Sequence, residues 1–322
     1  MKSLYATIVN EQYALRALVL YKSFAPVMGG KIFSVYCTDQ GAVNLLNDFT
    51  NDSFVVVPPD SFENVKLSTL KVQRAINEYC WTCKPVILEH AIEHFPEIEW
   101  VVYLDSDMMA FGDPDDGLPT DMDINVVVTP HRPSSDYFAQ FMDSAGQYNA
   151  GYVAFKNSEV GRAALRWWKD RCIECCPNTP ENGAYADQKY LDYMVTDFSG
   201  VLASSNVGLN AGPWNISGRE VCERDGVVFV DDTPLLLYHM QAFRIYSMSL
   251  FDIYGGPVRI AGSVRQAIYR PYESLIASSW KILKKANPSF KQNPDTSIWK
   301  TKTLLRELKK IAQGISNLRI RF

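Results

Sequence analysis

Residues 100–109 read WVVYLDSDMM. An apolar run climbs to Leu104 and then meets two aspartates, Asp105 and Asp107, with only Ser106 between them. In a continued strand, positions 105 and 107 project from the same face. Two adjacent carboxylates repel, and one is driven to take up a proton unless a cation sits between them. Oxygen ligands of this kind suit Mg²⁺ or Mn²⁺. A solvated pair in the turn after a strand is the alternative, because a bare DxD is a weak motif. His239 closes the apolar run PLLLYH and offers a third ligand. The other histidines fall on an expected helix (His90, His94) and an expected loop (His131).

Working outward from that stretch, the first half alternates strand-like and helix-like pieces. Strands are expected at 3–9, 31–38, 53–59 and 101–107, and helices at 12–24, 41–49, 68–79 and 84–95, with Pro85 near a helix start. Such a rhythm predicts an α/β fold, a mostly parallel sheet flanked by helices. Ligands of such sheets bind beyond the carboxyl ends of the strands, where Asp105 and Asp107 would lie. Further strands are expected at 124–130, 149–157, 227–231 and 235–240. Helices are expected at 160–176 and from 186 onward.

The 322 residues, 47% hydrophobic and 21% charged, fit one large globular domain with an appendage, or two domains. No run approaches the roughly 18–20 apolar residues of a membrane-spanning helix. The N-terminal stretch is broken by Asn10, Glu11, Gln12 and Arg16 and does not read as a signal peptide, so a cytoplasmic location is expected. Seven cysteines in a chain of this size argue against a disulfide framework. Cys80 and Cys83 form CWTC, and Cys172, Cys175 and Cys176 form CIECC. The gap of about ninety residues between them is far beyond the roughly 15–20 of a compact zinc module, which favours free structural thiols.

Charge is unevenly spread. From Lys281 to Phe322 the chain carries eleven Lys/Arg against Asp295 and Glu307, a net of +9 in a protein whose total is −4. Leu304, Leu308, Ile311, Ile315 and Leu318 recur at helical spacing, with Lys302, Arg306, Lys309 and Lys310 on other faces. A basic amphipathic helix of this type suits the surface of an anionic membrane. Packing on the acidic body or on a second copy, as in a homodimer, is the alternative. No motif for nucleic acid accompanies the charge.

Several short motifs follow one another in a fixed order: ATIVNEQYALRALVLYKSF (6–24), YLDSDMMAFGDP (103–114), YNAGYVAF (148–155), ADQKYLDYM (186–194), GLNAGPWN (208–215) and YHMQAFR (238–244). In that order they resemble the family 8 glycosyltransferases, the group of glycogenin and the bacterial lipopolysaccharide galactosyltransferases. The likeness covers roughly residues 3–246, and ordered motifs are more specific than any one alone. It implies a GT-A (Rossmann-like) domain over 1–262 and a basic helical extension over 263–322. It also implies transfer of a sugar, with retention, from a nucleotide-sugar donor such as a UDP-hexose to the hydroxyl of a glycan or glycolipid acceptor.

The resemblance assigns roles. Asp105, Asp107 and His239 would hold Mn²⁺ or Mg²⁺. Ala6, Thr7, Asn10 and Tyr13 match the region for base and ribose, where Tyr13 could stack on uracil or be a plain core tyrosine. Ser106, Asn149, Ala150 and Gly151 match the donor stretch. Asp187 and Gln188 would flank the sugar as the catalytic pair, with a helix N-cap as the structural alternative for Asp187. Lys84 and Arg244 would add charge at the diphosphate; a solvated helix end is the alternative for Lys84.

The chain departs from the family pattern after His239. Ala242 stands where Gly is usual and Arg244 where Lys is usual. Arginine keeps the charge and can grip phosphate with two hydrogen bonds. Two other readings compete. Aspartate-nucleophile phosphatases also end a strand in DxD, but usually with Thr or Val where this chain has Met109. A non-catalytic sugar-nucleotide binder is the other, and Ala242 is its best support.

Overall fold

The computed structural model describes residues 2–291, 301–312 and 316–320, without the side chains of 301–304, 306, 312 and 320. The N-terminal half alternates as the sequence predicts. Strand β1 (Ser3–Val9) is buried at every position, as suits a central strand covered on both faces. Asn10 accepts a hydrogen bond from the Tyr13 amide and opens the turn into α1 (Ala14–Ser23). Asp39 does the same for the Ala42 amide at the start of α2 (Gln40–Leu46), which follows β2 (Ile32–Cys37). After β3 (Phe54–Val57) come α3 (Pro59–Phe62), α4 (Val65–Gln73), α5 (Ile76–His94) and β4 (Trp100–Leu104).

Two expectations are corrected here. Residues 76–94 form one helix, with Pro85 inside it rather than at the start of a second. A proline there removes the donor that would reach the Trp81 carbonyl. Strand β4 stops at Leu104 instead of running through Asp107. The chain turns at 105–107, where the Met108 amide donates to the Asp105 carbonyl (3.1 Å), and starts β5 (Met108–Ala110).

The second half adds β6 (Val126–Pro130), α6 (Asp136–Ala139), α7 (Met142–Ala145), β7 (Tyr148–Lys156), α8 (Glu159–Glu174), α9 (Tyr190–Asp197) and β8 (Val201–Ala203). The main sheet runs β3-β2-β1-β4-β7-β6-β8. Its pairings are parallel except that β7 lies antiparallel to both β4 and β6. The β6–β7 register shifts between Val128 and Thr129. The irregularity falls at residues 150–152 of β7, between the partners of Thr129 and Val128 and beside the end of β4, and irregularities of this kind often aim residues at a site.

Small strands follow: β9 (Val221–Arg224), β10 (Val227–Val230), β11 (Thr233–Pro234), β12 (Leu237–His239), β13 (Arg244–Ser247) and β14 (Leu250–Asp252). Strand β12 pairs with β5, setting His239 opposite Met108. Then α10 (Gly262–Val264) leads to α11 (Arg270–Ala286), whose Tyr272 and Ile276 join the core shared with α1. No helix among the described residues is long and apolar enough to cross a membrane.

The C-terminal segment also differs from expectation. Helix α12 covers Thr301–Ala312; Ile315 lies outside the described residues, as do 292–300. Leu318 belongs to a strand, β15 (Leu318–Ile320), paired with β14. So the five apolar residues do not form one helical stripe.

Candidate active site

The turn after β4 and the end of β12 bring Asp105, Asp107 and His239 together. One ligand atom from each lies within 4.8 Å of the others. His239 Nε2 is 3.1 Å from Asp107 Oδ1 and 3.8 Å from Asp105 Oδ2. The convergence comes from a turn and a neighbouring strand, not from strand alternation. Burial would lower the His239 pKa, but the two carboxylates outweigh it and raise it above the ordinary value. Burial likewise opposes ionisation of Asp107, and the imidazolium outweighs it. Two carboxylates and one imidazole, held this close, form a donor set that fits an oxygen-preferring divalent ion.

Gly151 leaves room for this cluster. A Cβ there would stand 2.6 Å from His239 Nδ1, so the close neighbour of this glycine is the histidine ring. Trp214 packs edge-on against the same ring, with centroids 5.3 Å apart.

Lys84 forms the second centre. It sits on α5, is 3% exposed, and lies 3.1 Å from both Asp105 Oδ1 and Asp187 Oδ2. Its ammonium also donates to the Ala150 carbonyl (3.1 Å) and faces the Tyr103 ring at 4.6 Å. The solvated-helix-end reading of Lys84 is therefore corrected. Burial pushes the Asp187 carboxyl up to about 6, although Lys84 opposes the shift. Asp187 does not cap a helix: α9 begins at Tyr190, and Lys189 precedes it. Instead its carbonyl accepts from Trp168 Nε1 (2.9 Å), which anchors the backbone. Gln188 is held through Nε2 to the Ala145 carbonyl (2.8 Å).

Lys84, Asp105, Asp187, Gln188 and His239 line one cleft of about 880 Å³ together with Ala150, Gly151, Trp214, Arg244 and Gly255. The residues expected to hold the base are not in its lining. Ala6 and Thr7 are fully buried in β1, Asn10 caps the turn before α1, and Tyr13 is exposed with Arg16 over its ring. Ser106 is buried in the turn between the two aspartates.

Asn149 spends its amide inside the protein. Its Oδ1 accepts from the Gly151 amide (2.9 Å) and from Asn210 Nδ2 (3.0 Å), and its Nδ2 lies 3.4 Å from His131 Nε2. Sequence reasoning left His131 on a loop and gave Asn210 no role. Long-range packing brings them to Asn149. Burial pushes the His131 imidazole down to about 4, so it stands neutral in the cleft wall.

Backbone strain gathers at the same place. Arg132, Ala186, Asn210 and Ala242 all hold positive φ, between 48° and 59°. Non-glycine residues rarely do so, and such strain concentrates at functional sites. At Ala242 (φ 59°) the backbone keeps the left-handed geometry that a glycine would take.

The cysteines stay free, and among the described residues the Asp105–Asp107–His239 group is the one cluster suited to a metal.

No family model matches the chain. A search of known proteins gives a clear relative in the uncharacterised protein YfnF of Bacillus subtilis (strain 168), 33% identical over 258 residues, covering 77% of this chain and 84% of YfnF. The chain belongs to the YfnF family. A second uncharacterised relative, YfnD of the same organism, is 29% identical over 251 residues, covering 77% of this chain and 80% of YfnD.

Among solved structures, the galactosyltransferase LgtC in complex with donor and acceptor sugar analogs superimposes with a TM-score of 0.52 at 16% identity, covering 88% of this chain and all of that one. An active-site mutant of LgtC gives 0.50 at 17% identity, over 86% and 96% of the two chains. The fold of this YfnF-family protein is therefore GT-A: a mixed, mostly parallel central sheet flanked by helices.

Proposed function

We propose that the protein is a metal-dependent glycosyltransferase that moves a sugar, with retention, from a nucleoside-diphosphate donor to an acceptor hydroxyl. A UDP-hexose is the donor we favour, and Mn²⁺ or Mg²⁺ the ion. One observation carries the reading. Asp105 and His239, two of the three clustered metal-suited side chains, line a single cleft with the buried Lys84–Asp187 pair at the carboxyl end of β4, in a GT-A fold.

Asp105, Asp107 and His239 would hold the ion, which supplies positive charge to the leaving diphosphate. Arg244, on the cleft wall, adds charge at the same phosphates. Lys84 fixes Asp105 and Asp187 relative to each other, so both carboxylates are set before substrate arrives. Asp187 and Gln188 then border the sugar. A carboxylate there counters the positive charge that grows on the sugar ring as the bond to phosphate breaks. Ala150 and Gly151 offer backbone close to the sugar, and Ser106 lies beside the phosphates. Ala6, Thr7, Asn10 and Tyr13 remain our proposal for the base and ribose, with Tyr13 exposed and able to stack.

The acceptor is proposed to be a glycan or glycolipid. Exposed Tyr137 and Phe141 stand on the cleft rim and offer aromatic faces. On α12, Leu305, Leu308 and Ile311 are exposed, and Lys309 is exposed beside them. With the basic charge of the segment they support contact with an anionic membrane on its cytoplasmic face. The aspartate-nucleophile alternative loses support, because Asp105 is held by Lys84 and Tyr103 and Asp107 by His239.

Release of nucleoside diphosphate from a panel of UDP-, GDP- and dTDP-sugars with Mn²⁺ tests the reading. Release from at least one donor, lost in D107A, is expected. Tight binding of donor without release would favour the non-catalytic binder instead.

A further inference from the structure

Helix α12 and strand β15 touch the cleft wall from behind, and they do so through buried polar groups. Asn317 is fully buried. Its Nδ2 donates to the Tyr254 carbonyl (3.1 Å) and the Val258 carbonyl (2.8 Å), and its Oδ1 accepts from the Ile260 amide (2.9 Å). Its own carbonyl accepts from the Ile253 amide (3.2 Å). One side chain thus ties both limbs of the loop 253–260. Lys310, 5% exposed, donates to the Gly255 carbonyl (3.0 Å) and pairs with buried Glu307 at 3.2 Å. Strand β15 extends the β13–β14 hairpin, and Arg319 reaches Glu273 of α11 at 3.0 Å.

The loop so tied is the one that backs Arg244. The Gly255 amide donates to the Ala242 carbonyl (3.1 Å), and a Cβ on Gly255 would stand 2.8 Å from the Arg244 guanidinium carbon. Tyr254, Gly255, Gly256 and Pro257 line the cleft beside Gln241, Ala242 and Arg244. Helix α12 therefore turns part of its polar face inward, onto the loop, while Leu305, Leu308 and Ile311 stay outside.

We infer that the C-terminal segment is a strap that positions Arg244 for the donor, with Asn317 and Lys310 as its positioning residues. The inference rests on the transferase reading for its substrate, but the strap itself is a property of the fold. A loop held at both limbs by a fully buried amide has one geometry, because releasing those groups leaves buried donors and acceptors unpaired. A displacement of the guanidinium by as little as about 1 Å is enough to cost a phosphate-binding group much of its effect.

The test compares the full chain with N317A, K310A, K310R, R244A and the double variant R244A/K310A. Donor KM in N317A and K310A should rise about tenfold while acceptor KM holds, and K310R should restore it. The double variant should be no worse than R244A alone, since Lys310 acts through Arg244. Unchanged donor KM in both N317A and K310A, or multiplied effects in the double variant, would overturn the strap. Hydrogen exchange over 241–260 gives an arm independent of activity. K310A and N317A should speed exchange there at unchanged exchange in β1. If the wild type releases no nucleotide from any donor, the transferase reading fails, and this exchange result alone decides the strap: unchanged protection overturns it.

Discussion

A Cβ on Gly151 would stand 2.6 Å from His239 Nδ1 and 2.7 Å from Asn149 Oδ1. The smallest possible side chain at that position must therefore move a proposed metal ligand or the Asn149 amide. Gly151→Ala should weaken Mn²⁺ binding by about ten- to a hundredfold, the range seen when the support of a metal ligand is lost. Calorimetric titration of Mn²⁺ checks this. Gly262→Ala, where an added Cβ meets nothing within 4 Å, is the control. Equal affinity in the two variants would contradict the placement of His239.

The buried Lys84 ammonium holds Asp105 and Asp187 at 3.1 Å each. Lys84→Met removes the cation and leaves Asp187, 2% exposed, without it. Breaking a buried pair from one side costs about 3–5 kcal/mol. Asp187→Asn should also destabilise, and the double variant should cost less than the sum of the two, by roughly 0.5–3 kcal/mol. Urea unfolding of the metal-free protein measures all three. Strict additivity would mean the pair does not act as a unit.

Ala242 holds φ at 59°, where an L-residue is strained by roughly 1–2 kcal/mol. Glycine relieves that strain but costs the chain about 0.5–1 kcal/mol in lost freedom. Ala242→Gly should therefore stabilise by up to about 1.5 kcal/mol, and Ala242→Val should destabilise more than it would at an ordinary loop position. Thermal unfolding of the two variants reads the sign. A Gly variant less stable than wild type would mean Ala242 does not hold this conformation.

His131 makes stability depend on pH. Burial pushes its imidazole from the usual 6.5 down to about 4. The unfolded chain takes up a proton near 6.5, whereas the folded protein does so only near 4. The contribution is thus fully present above 6.5 and is lost as pH falls from 6.5 to 4, by about 3 kcal/mol over the whole window. Carboxylates titrate in the lower part of that range, so the comparison with His131→Gln isolates the histidine. Between pH 6.5 and 5 the wild type should lose stability faster than the variant. Parallel curves would show that His131 is not held neutral.

Much of this arrangement was legible in the sequence. The periodicity of residues 3–104 reads as alternating strands and helices because β1, β2 and β4 are apolar on both faces and Asn10 and Asp39 open the helices that follow. The Asp105–Asp107–His239 group was legible because the two aspartates follow one apolar run and His239 closes another. The manner of their meeting was not. A turn at 105–107 and the pairing of β5 with β12 bring them together, and neither is written in a period of two. Lys84 reads as a donor-site cation or a solvated helix end, and its burial between Asp105 and Asp187 is not legible, since sequence alone does not show which helix face α8 and the sheet will cover. Pro85 looked like a helix start because local propensity favours that position, and tertiary packing overrode it. The tail read as one amphipathic stripe because heptad spacing ignores that Leu318 can pair with Leu250–Asp252 as a strand. His131 carries no signal of its contact with Asn149, and Asn210 lies in the motif GLNAGPWN without a role to read from it: each reaches Asn149 through long-range packing.

In the proposed reaction the cleft holds a divalent ion and a nucleotide sugar, the bond from the sugar's anomeric carbon to the diphosphate oxygen breaks, the sugar passes to an acceptor hydroxyl or to water, and nucleoside diphosphate leaves. The direct measurement is nucleoside diphosphate released from a panel of sugar nucleotides with Mn²⁺, before and after EDTA, in wild type and in Asp107→Ala. Release from at least one UDP-sugar is expected, abolished by EDTA, restored by added Mn²⁺, and absent from Asp107→Ala. Release that survives chelation or the loss of Asp107, or no release from any donor in the panel, would contradict it.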